Sequence, residues 1–450
     1  MKKIIVIGVI MLFLVSSIPV LAHSETKGQG LLSHTLYVGG SGPGNYSKIQ
    51  DAINDSMTWD TVFVFHGTYD ERVVISKRIS LIGEDKNTTI IDAEQKGCVV
   101  VLWEDGITVS GFTIQNCSNA WDYAEIAIYT NSNKILNNII LSNIPADPIR
   151  NNGIDIMHQN QNSIIGNTIS NQWDGIYIEG TKYNVIRENH IFNTIHGIYA
   201  SGCDHNLITE NNISNIINNN IYLDYQSHDC VISNNYLDVG TEEILVYRGN
   251  NITIVGNEIR NAYNMGIDIS GNNTIISNNS IHNSDFAITI ESGSYPTISN
   301  NAIFNSSVGI DYWDGLYGNI SYNRVSYCGS GMQIGSPGAS NFVFKNEFRG
   351  NGLGLYTDVK FGTVKITCNN FINNTTPITF QQTLPIRRQT PGNPIFFKNY
   401  YDDWRGIGPK VIRGLDLIFV IIIVPVYLPA FYCDWHPANH PYDIPTGGIQ

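Results

Sequence analysis

The feature that most constrains this chain is a repeat. Asn-x-apolar triplets begin at Asn167, Asn189, Asn211, Asn235, Asn257, Asn279, Asn301, Asn323, Asn346 and Asn369, at steps of 22 to 24 residues. Self-similarity at such a period marks a solenoid, in which each unit buries its apolar face only by stacking on its neighbours. A second apolar alternation follows each triplet: "GIDI" at Gly153, "GIYI" at Gly175, "GIYA" at Gly197 and "GIDI" at Gly266. A third, such as "NSII" or "NVIR", precedes the next Asn. Short runs with period-2 alternation, separated by Gly and Asn, are strands. No unit has room for a helix.

Three strands per 22-residue unit describe one rung of a parallel β-helix. The expected fold is therefore all-β, a single-stranded right-handed parallel β-helix with an N-terminal capping helix and an irregular C-terminal cap. Right-handed coiling is the usual sense for parallel crossovers. About twelve rungs at the inter-strand spacing make a rod roughly 55–60 Å long. Ile176, Ile178, Ile198, Ile267 and Ile269 alternate inward and stack into an apolar column.

Residues 1–22 read as an export signal: Lys2 and Lys3, an apolar run from Ile4 to Ile18, then small residues up to Ala22. The expected location is outside the cell membrane: extracellular, at the cell surface or pseudo-periplasmic. Residues 23–45 read as a linker, 46–115 as the cap helix and first rungs, 116–380 as regular repeats, and 381–450 as the C-terminal cap. Ser47 to Gln50 reads as a capping box that opens an amphipathic helix, with Ile49, Ala52, Ile53 and Met57 on one face. The apolar run Leu417–Cys433 is interrupted by Pro425 and Pro429. It is barely long enough to span a membrane, so a buried strand over the last rung is the better reading and membrane attachment the less favoured one.

Composition narrows the partners. The formal net charge is −13 and only 14% of residues are charged, which lacks the basic footprint of nucleic-acid binding. Seven cysteines without a CxxC pair make core residues, with room for one or two disulfides, but no disulfide framework.

The motifs resemble those of NosD-type right-handed β-helix proteins, the carbohydrate-binding and sugar-hydrolysis repeat family. The resemblance runs from "YSKIQDAI" at Tyr46 to the end of the chain. It rests on "TVFVFHGTYDERVVISKRISLIGEDKNTTIIDA", the "GNTISN" and "GIYI" rungs, and the closing "NYYDDWRGIGPKVI" and "DWHPANHPYDI". The opening and closing are similar to those of exported archaeal members, from methanogens in particular. The resemblance implies a fold more sharply than an activity, because relatives include copper-enzyme accessory factors, polysaccharide lyases, alginate epimerases and surface proteins.

Candidate functional residues follow from the strand alternation. The repeated asparagines are expected to form a ladder of side-chain amides and to sit at tight corners, where Asn tolerates a left-handed backbone. Outward residues of the second strand are Asp155, Tyr177, Tyr199, Tyr222, Asp268, Thr289, Asp311, Gln333 and Tyr356, with Glu179, Asp224, Ser270, Glu291, Trp313 and Asp358 two positions on. Rings stack on sugar faces, and carboxylates bind hydroxyls or a cation such as calcium. Tyr177, Glu179, Tyr199, Tyr222, Asp224, Asp268, Asp311 and Trp313 are therefore the expected carbohydrate-binding face for a polysaccharide or envelope glycan. Should the protein be an enzyme, such as a glycosidase, lyase or uronate epimerase, Asp268, Glu291 and Asp311 are the candidate catalytic carboxylates. Copper is disfavoured, because Met is scarce and the histidines are dispersed. The one pair with close spacing is His436 and His440.

Overall fold

The computed structural model describes residues 33–444 except 122, 143–150, 384–392, 407 and 422–423. The expected signal segment, residues 1–22, lies outside the described residues.

From residue 34 onward the chain coils as a β-solenoid. One rung consists of the strands Asp174–Glu179, Val185–Arg187 and His190–Phe192. Each pairs in parallel with its counterpart one turn on: Ile176 with Ile198, Ile186 with Ile208, and Ile191 with Ile213. Among the described residues, the third strand of each turn stacks into a sheet of fifteen, and the other two belong to a 31-stranded sheet. The solenoid has about fourteen turns rather than twelve, because the less regular first strands, such as Gly67–Asp70 and Thr89–Asp92, stack in the same series.

Ile176, Ile178, Ile198, Ile267 and Ile269 are all fully buried, as their inward alternation requires. Toward the C-terminal end the column changes to rings. Phe348, Phe371 and Tyr401 stack face to face at 5.2 and 5.4 Å on successive turns. Dispersion between close-packed neighbours, repeated at every turn, holds such a column together.

Beside the core runs the asparagine ladder. The backbone N–H and the side-chain amide of Asn257 both donate to Oδ1 of Asn279, at 2.9 and 3.0 Å, and Asn279 donates likewise to Asn301. The same link joins Asn167, Asn189, Asn211, Asn235 and onward to Asn399, whose two donors end on Oδ2 of the buried Asp434. The ladder is as expected, but the corner is not. The left-handed residue is the one before each ladder position, for example Gly166, Glu188, Glu210, Asn234 and Gly256. The ladder asparagines themselves keep ordinary φ and point inward. A separate exposed column, Asn261, Asn283 and Asn305, does adopt positive φ and links its own amides along the surface.

Both caps differ from expectation in detail. The segment 23–45 is not all linker, since Thr35–Val38 is a strand paired with Thr61–Val64. The helix Ile49–Asp55 buries Ile49, Ala52 and Ile53, but no capping box forms. Its free N–H groups at Ile49 and Gln50 donate instead to the Glu71 carboxylate at 2.8 and 3.0 Å. Met57 lies beyond the helix and is exposed. Gln50 uses its side-chain amide to satisfy both polar groups of Val74, covering a strand edge.

At the other end the apolar run is not one buried strand. It belongs to an antiparallel pair, Lys410–Ile421 with Val424–Asp434, whose first strand extends the solenoid from Phe380 to Thr383. Val411, Leu415 and Phe431 are exposed on it. Among the described residues no helix is long and apolar enough to cross a membrane. All seven cysteines are free, so neither of the allowed disulfides forms.

Candidate functional site

The outward alternation places the predicted column in strict register. Asp155, Tyr177, Tyr199 and Tyr222 pair on successive strands. Leu245 comes next, then Asp268, Thr289, Asp311, Gln333 and Tyr356. The sequence reading overlooked Leu245, an apolar residue that divides the stripe into two halves.

In the first half the tyrosines form a ladder. Tyr177 and Tyr199 stack with centroids 5.5 Å apart, and Tyr222 meets Tyr199 edge-on at 5.0 Å. Their hydroxyls are held by the predicted carboxylates: Tyr177 donates to Glu179 at 2.7 Å, while Tyr199 and Tyr222 both donate to Asp224, at 2.5 and 3.1 Å. Burial and these acceptors raise the phenol pKa values, so the rings stay neutral. Rings locked by hydrogen bonds lose little entropy when they contact a ligand.

The ladder opens at its N-terminal end into a cavity of ≈ 460 Å³ lined by Trp121, Tyr129, Asn152, Asp155, Met157, Trp173, Asp174, Tyr177 and Tyr199. Trp121 and Trp173 meet edge to face at 4.6 Å, and Tyr129 stacks on Trp103 at 4.4 Å, which extends the aromatic wall. Two carboxyls belong to the cavity. Asp174 is buried and bonds His196 Nδ1 at 2.8 Å; burial still raises its pKa despite that imidazole. Asp155 is pushed up to about 7 by burial, with Asp174 and Glu179 adding like charge. Its Oδ1 is buried and without a hydrogen-bond partner among the described residues.

Sequence reasoning singled out Tyr177, Tyr199 and Glu179 but not Trp121, Trp173, Asp174 or His196. A signal for one pair was present. Asp174 and His196 pair on adjacent strands, a repeat step apart, two residues before the inward Ile. Trp121 lies where the repeat is irregular, and no spacing points to it.

In the second half, Asp268 is buried between Leu245 and Thr289 and is pushed up to about 7 by burial, then by Glu291 and Glu242. Asp311 is pushed up to about 6 by burial, against a hydrogen bond from Trp313. The two are two strands apart, about 9–10 Å by the inter-strand spacing. Glu291 does not occupy the second outward position. A register shift after Ile269 pairs Ser270 with Ser292, leaving Glu291 as an exposed bulge residue. Trp313 lies just past its strand, 6.1 Å from Tyr356.

The histidine pair forms no centre: His436 and His440 are exposed, and His436 packs on Phe397. The group among the described residues whose donor atoms converge is Asp204, His205 and Asp229, within 4.8 Å of one another. Asp204 in that group is already paired with Lys182 at 2.7 Å.

Two family models match the chain: "Periplasmic copper-binding protein (NosD)" over residues 213–406 and "Right handed beta helix region" over 97–242. Together with the parallel coil, these two matches support a NosD-type right-handed β-helix repeat protein. No curated protein matches it. Among solved structures, pre-mature gene product 12 of bacteriophage phi29 is 12% identical, with 78% of this chain covering 60% of that one at a TM-score of 0.59. A lidless DFA-IIIase from Arthrobacter chlorophenolicus is 14% identical over 68% of this chain and 93% of its own, with a TM-score of 0.49. The catalytic unit of a GH87 α-1,3-glucanase from Streptomyces thermodiastaticus is 12% identical over 84% and 70%, with a TM-score of 0.41. At these identities the likeness concerns the fold alone.

Proposed function

We propose that this NosD-type protein is exported and binds a polysaccharide or envelope glycan along the first half of its outward column. One observation carries the reading. An aromatic-walled cavity with convergent carboxyls opens onto a ladder of locked tyrosines. Sugar rings present an apolar face for stacking and hydroxyls for carboxylates, and such a cavity supplies both. Successive rings of the ladder repeat at a spacing close to one sugar unit, so an extended chain keeps its register along it. Export is supported by the leader-like first residues and by the periplasmic description of the family.

Glycan-array binding tests the reading. Replacing Tyr177, Tyr199 and Tyr222 together by Ala abolishes binding if the ladder is the platform; unchanged binding overturns it.

A hydrolytic reading has one observation in its favour. Asp155 and Asp268, both pushed up to about 7, hold protons near neutral pH as a general acid must. It predicts that a bound glycan is shortened and that Asp155→Asn or Asp268→Asn stops the shortening. Copper fits less well. The converging donors Asp204, His205 and Asp229 include no sulfur, and five of the seven thiols are buried, whereas copper favours Cys, Met and His together.

A further inference from the structure

The charge balance of the cavity narrows what it takes. Asp155 and Asp174 line it and Glu179 stands close enough to raise Asp155, yet no Lys or Arg occurs among the described lining residues. His196, which bonds Asp174, has its Nδ1 already used. The walls are the faces and edges of Trp121, Trp173, Tyr129, Tyr177 and Tyr199. Ring faces carry a negative quadrupole and attract cations, more strongly where water is excluded. Carboxyls and ring faces both favour a positive ligand. A uronate or sulfated sugar would add like charge to this group; a neutral sugar would fill the walls but bring no cation to the carboxyls.

Resting on the glycan reading above, we propose that the cavity selects a sugar bearing a protonated amine, a hexosamine unit, with its ammonium on Asp155 and its ring against the indoles. The amine donates to the Asp155 carboxylate, and the apolar face of the sugar packs on Trp121 and Trp173.

Calorimetry near neutral pH with four probes tests this: the glucosamine tetramer, the N-acetylglucosamine tetramer, cellotetraose and choline. The expected result is that the glucosamine tetramer binds about tenfold or more tighter than the other two tetramers, since a desolvated cation on rings and a carboxylate gains more than about 1.4 kcal/mol. Asp155→Asn, checked for folding by its melting curve, should bring the glucosamine tetramer down to the level of the N-acetylated one. Equal affinity of the wild-type protein for the three tetramers overturns the selection while leaving the glycan reading in place. Binding of choline as tight as the glucosamine tetramer overturns the hexosamine assignment, because the cavity would then read an ammonium without a sugar. Failure of every tetramer removes the glycan reading itself. Because the selectivity of the wild-type protein is decisive, a misfolded variant does not rescue the proposal.

Discussion

The two halves of the outward column share a backbone and a charge state but not their walls. Asp155 and Asp268 occupy equivalent positions, and both are pushed up to about 7 mainly by burial. Around Asp155 stand indoles and a tyrosine ladder with satisfied hydroxyls. Asp268 has Leu245 and Thr289 as its neighbours in register, and its indole, Trp313, lies two strands away beside Asp311. Burying a carboxyl on this sheet therefore shifts its titration wherever it falls, and the aromatic neighbours are what turn one such position into a cavity. Perturbed carboxyls alone do not mark the site.

The largest expected effect contrasts the two indoles. Trp173→Ala should weaken glycan binding about a hundredfold, as loss of a buried aromatic anchor does, while Trp313→Ala leaves it within about twofold. Equal losses on a glycan-affinity titration would erase the distinction between the halves.

Both halves ride on one asparagine ladder, and that shared support can be broken. Asn257→Ala leaves two buried donors of Asn235 without their acceptor, so it should cost about 2–3 kcal/mol in denaturant unfolding. Asn283→Gly keeps the left-handed backbone of the exposed column and should cost no more than about 0.5 kcal/mol. Similar costs would mean that the inward ladder is no more important than the surface one.

Titration should be common to the halves. A carboxyl whose folded pKa is raised contributes stability that is complete below about pH 4 and is lost as pH rises through about 7. Asp155→Asn and Asp268→Asn should therefore each melt above the wild-type protein at alkaline pH and with it in acid. A slope relieved by only one of them would separate the halves electrostatically as well.

The smallest effect is a gain. Leu245→Tyr should extend the ladder by one ring toward Asp268 and tighten glycan binding by a few fold, about 0.5–1.5 kcal/mol for an added aromatic pair. No gain would mean that the ligand ends at Tyr222.

Much of this was legible in the residues. A 22-residue step with period-2 strands leaves one way to bury the isoleucines, and the same alternation aligned Tyr177, Tyr199 and Tyr222. A repeat sets register, because a slip of one residue turns every core side chain outward. Glu291 fell out of the column because a bulge inserts a residue that spacing alone cannot see. Glu71, distant in sequence, takes the helix N–H groups that the capping box was expected to serve.

By itself, then, the sequence determined the solenoid, its apolar column, the ladder of asparagines and the line of outward tyrosines and carboxyls, since all of these depend on periodicity. Only the tertiary structure decided where that line becomes a site. Trp121 comes from an irregular turn and meets Trp173 across the repeat, and the largely buried Asp155 lines the same cavity as those rings. Enclosure is a property of several turns at once, and no single period encodes it.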